Sequence, residues 1–207
     1  MPSKKHKLVS GPEELKLAPF MRLLKAVHSM GEPESFTPED LEKQRRSQDA
    51  LGNMAASMSG LVWEPFTLAG MDAAWMRLSR DHRRRRVILY CHGGGYTSGG
   101  LGFSKVLASK LTRATGMDTL AFDYRLAPEH PYPAAVEDAL TAWSHLESLG
   151  IAPGDIVLAG DSAGGNLALV LCHRLRAQGR MLPAALLLFS PWTDMTASGA
   201  SMTERAD

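Results

Sequence analysis

From Val87 onward the chain alternates between two spacings of apolar residues. Continuous apolar runs at 87–91, 119–122, 156–159 and 184–189 read as strands covered on both faces, since none shows polar alternation. Between them the apolar residues follow the 3.6-residue period of a helix. Ser104 is expected to cap a helix through Leu107, Ala108 and Leu111 that stops at Gly116. Pro133 opens the next, with Val136, Ala139, Leu140, Trp143 and Leu146 on one face and Gly150 at its end. Leu167, Ala168, Leu171 and Leu175 form the third face, which closes at Gly179. Strand and helix in alternation predict the α/β class: a mostly parallel sheet, helices on both faces, right-handed crossovers.

Before Val87 the pattern differs. Trp63 to Leu68 and Ala73 to Leu78 are short extended runs split by Ala69-Gly70-Met71-Asp72, which predicts an antiparallel hairpin. Residues 1 to 60 read as amphipathic helix. Pro19 can open one helix with Phe20, Leu23, Leu24 and Val27 on its face. Thr37-Pro38-Glu39-Asp40 reads as a cap, a first-turn proline and first-turn acids. Leu51, Met54, Ala55 and Met58 repeat as one stripe expected to face something apolar. Two readings of that stripe stand together: a lid with methionine as an adaptable lining, and ordinary core packing. The expected organisation is a helical cap segment over residues 1–60 and an α/β domain over 61–207.

Composition narrows the class without naming it. With 207 residues, 44% of them hydrophobic and 22% charged, the chain supports one core-bearing domain and a small appendage. A net charge of +1 provides no global field for nucleic acid or an acidic membrane. Arg83 to Arg86 could suggest nucleic acid, but reads rather as a solvated loop ahead of a buried strand, because no aromatic interleaving or second basic patch accompanies it. Cys91 and Cys172 fall in apolar runs and read as reduced core thiols rather than a disulfide or metal pair. No run approaches the roughly 18 apolar residues of a membrane span, and a cytoplasmic setting is the default expectation. No cofactor or metal is expected.

The candidate chemistry centres on Gly160-Asp161-Ser162-Ala163-Gly164. It follows an apolar strand and opens an apolar helix, so it matches the strand–turn–helix setting of a nucleophile elbow. Gly160 and Gly164 let strand and helix approach closely, and the helix N-terminus favours negative charge beside the Ser162 hydroxyl. A serine of this kind needs a base, an orienting acid and an oxyanion site. The last of these is legible in His92-Gly93-Gly94-Gly95, where unshielded main-chain N–H groups leave a strand end. Together with the Ala163 N–H they can converge on a carbonyl oxygen as it becomes negative, each worth about 3 kcal/mol of barrier. His92 reads as a loop-shaping residue, because the base of this architecture follows its serine.

Three segments together resemble the hormone-sensitive-lipase-like branch of the α/β-hydrolase superfamily. They are His92 to Tyr96 with Gly99, Tyr124 to Ala135 (Tyr-Arg-Leu-Ala-Pro-Glu-His-Pro-Tyr-Pro-Ala-Ala), and Gly160 to Asn166; Ser190-Pro191-Trp192 also fits. The resemblance covers about residues 60 to 200. It implies hydrolysis of carboxylic esters with short or medium acyl chains. It carries over Ser162 as nucleophile and Gly94, Gly95 and Ala163 as oxyanion donors, with Gly93 as the less certain third glycine. Asp123, Arg125 and Glu129 are expected to pair internally rather than catalyse.

The chain departs from that pattern after the serine. His173 is the only later histidine, and a helix rise of 1.5 Å per residue carries it roughly 16 Å from Ser162. Asp194 follows the last strand, a weak place for the acid. The chain therefore reads as the N-terminal part of a family enzyme, cut short and with little turnover of its own. Its last strand would leave an apolar edge open to self-association, so a homo-oligomer is compatible with it. The expected partner is a small-molecule ester. Two other readings stay open: a non-catalytic ligand-binding module, and an amidase or peptidase on the same fold.

Overall fold

The computed structural model describes residues 37–79, 86–196 and 198–200. The helix expected to open at Pro19 and the arginines at 83–85 lie outside these residues. Ten principal elements follow in order: α1 (Pro38–Ala55), β1 (Leu61–Leu68), β2 (Met71–Leu78), β3 (Val87–Cys91), α2 (Leu101–Thr115), β4 (Asp118–Phe122), α3 (Ala134–Ser148), β5 (Ile156–Asp161), α4 (Ala163–Ala177) and β6 (Ala185–Phe189). The sheet order is β1-β2-β4-β3-β5-β6. The β1–β2 and β2–β4 pairs are antiparallel; β4–β3, β3–β5 and β5–β6 are parallel.

The period of two along the central strands sorts their side chains between two cores. Val87, Leu89, Cys91, Leu120, Phe122, Ile156 and Leu158 pack with Val136, Trp143, Leu167 and Leu171 of α3 and α4. Ile88, Tyr90, Ala121 and Ala159 point the other way, against Leu111 of α2. Because both faces are covered, β3 is buried at every position. At one margin lies β6, which pairs only with β5 among the described residues. Leu186 is 39% exposed and Phe189 37%, the uncovered apolar edge the sequence suggested.

Two local expectations are corrected. Ser104 does not cap α2. The helix begins three residues earlier, behind Gly100, and Ser104 is buried inside it with Oγ donating to the Gly100 carbonyl at 2.8 Å. Of the stripe expected on α1, only one member reaches a core: Leu51, Met54 and Ala55 are exposed, while Met58, beyond the helix end, packs against Leu61, Met76 and Ala108. The buried positions are Leu41 and Gly52. A Cβ on Gly52 would stand 2.3 Å from the Gly102 carbonyl oxygen, so the α1–α2 contact is made backbone to backbone. Polar groups then lock it: Phe103 N–H donates to Asp49 at 2.9 Å and Lys105 Nζ to Asn53 at 2.6 Å. A hydrophobic-period argument cannot find a helix that docks through a glycine and a polar seam.

Candidate active site

The parallel register places the C-terminal ends of β3 and β5 side by side, with Cys91 opposite Gly160. The chain leaves β5 through Ser162 at φ 51° and ψ −119°, a region strained for any residue with a Cβ and costing about 1–3 kcal/mol. Three contacts over-determine it. Ser162 N–H donates to the Phe189 carbonyl at 3.0 Å, and the Ser162 carbonyl accepts from Asn166 N–H at 3.1 Å and Trp192 N–H at 2.9 Å. Ser162 itself is exposed, at the N-terminus of the 15-residue helix α4. A Cβ on Gly164 would lie 2.1 Å from the Cys91 carbonyl oxygen and 2.3 Å from that of His92. Glycine there is what brings the helix N-terminus against the glycine loop.

Each peptide plane of that loop is held separately, which decides which N–H groups are available. The His92–Gly93 peptide is engaged at both ends. Its carbonyl accepts from Tyr124 Oη at 2.7 Å, and its N–H donates to Asp161 Oδ1 at 3.0 Å. Tyr90 Oη donates to the same oxygen at 2.6 Å. Burial pushes the Asp161 carboxyl up and the Tyr90 phenol well up. Gly93 is therefore a correction to the expected donor set: its N–H is committed to Asp161.

The next two peptides are held only from behind. The Gly93 carbonyl lies 2.8 Å from His92 Nδ1. A carbonyl can only accept, so Nδ1 carries the proton, and the trans peptide turns the Gly94 N–H away from it. The Gly94 carbonyl accepts from Thr97 N–H at 3.1 Å, Ser98 N–H at 2.9 Å and Ser98 Oγ at 3.0 Å. That fixes the plane whose other end is the Gly95 N–H. The N–H groups of Gly94, Gly95 and Ala163 find no acceptor among the described residues. Gly94 at φ 122° and Gly95 at φ 62° occupy backbone regions that side chains rarely adopt.

His92 is a structural residue. It is 1% exposed, stacked on Tyr124 with ring centroids 4.1 Å apart, and burial lowers its pKa to about 4. Nε2 is buried without a partner, so a second proton would have no acceptor. His173 lies exposed on α4, three turns from the serine. Asp194 is spent on its own loop: Thr196 N–H donates at 3.0 Å and Ser198 N–H at 2.8 Å. No described histidine hydrogen-bonds Ser162.

The flanking charged residues pair as expected in two cases. Arg125 pairs with Asp138 at 2.8 Å and Glu137 at 3.2 Å, while Glu129 pairs with Arg45 of α1 at 2.8 Å. Asp123 takes a backbone hydrogen bond from Leu101 but forms no ion pair among the described residues. Its Oδ1 is buried without a partner, and burial, with Asp49 and Asp72 nearby, raises its pKa to about 7. Beside the glycine loop a cavity of about 350 Å³ is lined by Tyr96, Tyr132, Val136, Asn166 and Val170. Tyr96 Oη donates to Asn166 Oδ1 at 2.7 Å across its wall.

A serine at a strained strand–helix turn beside a tethered glycine loop defines a class. The chain belongs to the alpha/beta hydrolase fold family, which matches over residues 88–207. Within it the hormone-sensitive-lipase-like resemblance holds. The chain is 42% identical over 160 residues to an acetyl-hydrolase of Streptomyces hygroscopicus, covering 77% of this chain and 52% of that protein. It is 37% identical over 138 residues to an esterase of Acinetobacter venetianus, covering 67% and 45%. A crystal structure of an esterase from the bacterial hormone-sensitive lipase family superposes with a TM-score of 0.81 at 35% identity, over 91% of this chain and 62% of that one. The chain thus spans about half the length of the curated relatives it matches. Among the described residues no helix is long and apolar enough to cross a membrane, and Cys91 and Cys172 are free.

Proposed function

We propose that this chain carries the nucleophile and oxyanion half of a carboxylic-ester hydrolase acting on short or medium acyl esters. The observation that carries it is the pairing of an exposed, strained Ser162 with two glycine N–H groups whose peptide planes are locked from behind. Ser162 Oγ attacks the ester carbonyl, and a base takes its proton. The tetrahedral oxyanion is held by the N–H groups of Gly94, Gly95 and Ala163. The alcohol leaves and water hydrolyses the acyl-serine. No described histidine hydrogen-bonds Ser162, with His92 buried and neutral and His173 three turns away, so the base and its orienting acid are expected from outside the described residues. Relatives called acetyl-hydrolase and ethyl acetate hydrolase support a small acyl group, as does the modest cavity beside Tyr96.

The test is hydrolysis of p-nitrophenyl acetate and butyrate by the protein expressed from its complete coding sequence. Ser162→Ala is expected to lower the rate by at least about 10³-fold; an unchanged rate refutes the reading. The 207-residue chain assayed alongside is expected to turn over slowly. A Ser162-dependent rate equal to that of the complete protein would show that the chain holds its own base. That no described histidine contacts Ser162 favours a second reading, a module that binds esters without cleaving them. A fluorophosphonate probe separates the two, because only an activated Ser162 reacts.

A further inference from the structure

Arg45 of α1 uses four of its five N–H donors at once. Nε donates to the Thr97 carbonyl at 2.8 Å and Nη2 to the Ala127 carbonyl at 3.0 Å. Nη1 and Nη2 grip both oxygens of Glu129 at 2.9 and 2.8 Å. Among the described residues of α1, Arg45 is the one whose side chain reaches Thr97. Gln48, Asp49 and Asn53 instead meet Gly99, Phe103 and Lys105.

The Thr97 carbonyl shares a peptide plane with the Ser98 N–H, and that N–H donates to the Gly94 carbonyl at 2.9 Å. The Gly94 carbonyl in turn shares a plane with the Gly95 N–H. In a trans peptide the two groups point opposite ways. The guanidinium, two peptide units and the Gly95 N–H therefore form one head-to-tail hydrogen-bonded line, in which each bond polarises the next. We propose that Arg45 is a positioning residue for the oxyanion site, fixing and polarising the Gly95 N–H through Thr97–Ser98 and Gly94. The assignment rests on the reading of Gly95 as an oxyanion donor, while the line itself does not. A plain staple between α1 and the 126–130 loop would leave the Gly95 amide electronically untouched.

The experiment reads amide signals of the ¹⁵N-labelled chain, which need no turnover. Arg45→Gln is expected to move the Ser98 and Gly95 N–H resonances upfield and to speed Ser98 exchange at least about tenfold. Gly93, whose N–H donates to Asp161, should not move. Glu129→Gln keeps the Thr97 contact and removes the anion that neutralises the guanidinium, so the same two resonances should move downfield. Arg46→Gln, whose partner is Glu42 on the same helix, should change neither. Unmoved Gly95 signals in both variants overturn the proposal. If Arg45→Gln does not fold, Glu129→Gln alone decides, and an unchanged Gly95 signal there is a refutation. In the protein from the complete coding sequence, Arg45→Gln should lower kcat about tenfold with KM within about twofold. If Ser162→Ala leaves hydrolysis intact, the reading of the site fails, and the amide shifts still judge the line.

Discussion

Replacing His92 by Phe isolates one hydrogen bond from everything else the ring does. The phenyl ring can keep the stack on Tyr124, but it cannot donate to the Gly93 carbonyl. A buried carbonyl left without its donor costs about 1–3 kcal/mol. The Gly93–Gly94 peptide then loses its tether, and an oxyanion donor that turns away costs about 3 kcal/mol of barrier, roughly 10²-fold in rate. The pH dependence provides a second, independent reading. In the fold His92 titrates near 4, below its unfolded value of about 6.5. Its neutral form therefore stabilises the fold fully above pH ~6.5, and that contribution falls by up to about 3 kcal/mol as pH drops toward 4. Urea unfolding of both forms at pH 7.5 and 4.5 measures this. The gap between wild type and His92→Phe should shrink by about 2–3 kcal/mol at the lower pH, and the Gly94 amide resonance should shift in the variant. A gap of equal size at both pH values would refute the account of a locked, neutral imidazole.

Asp123 acts in an overlapping window with the opposite sign. Its pKa is raised to about 7, so the ionised form destabilises the fold and stability falls as pH rises from about 4 to 7. Asp123→Asn should flatten that slope and stabilise the protein at pH 7.5 by about 2 kcal/mol after allowance for partial solvent contact; urea titrations at several pH values check it. Gly164→Ala should cost more than about 3 kcal/mol, because its Cβ would meet the Cys91 and His92 carbonyls, which are backbone and cannot swing aside. Thermal melting of the variant measures the loss, and an unchanged melting temperature would contradict the close β3–α4 approach.

Much of the fold was legible because its causes are local. The runs at 87–91 and 156–159 could be read as two-sided strands from their own composition, and the structure buries Leu89 and Leu158 completely. The turn at Ser162 could be read from two glycines and the change of period around it. The face of α1 could not. It docks through Gly52 and a polar seam to residues about fifty positions away, and its exposed Leu51 and Met54 carry the apolar signal that pointed elsewhere.

The glycine loop shows the same division within four residues. Sequence alone determined that this stretch would present bare main-chain amides at a strand end. Only tertiary structure decided which amides remain free. Asp161, 68 positions later, takes the Gly93 N–H; His92 and the Thr97–Ser98 turn hold the next two carbonyls. It also left Asp123 beside two other carboxylates, with no cation of its own, while Arg125 and Glu129 found ion-pair partners among the described residues. Periodicity and turn chemistry act over a few residues, so they can be read along the chain. A hydrogen bond closed between distant strands depends on register and crossover, which exist only once the sheet has formed.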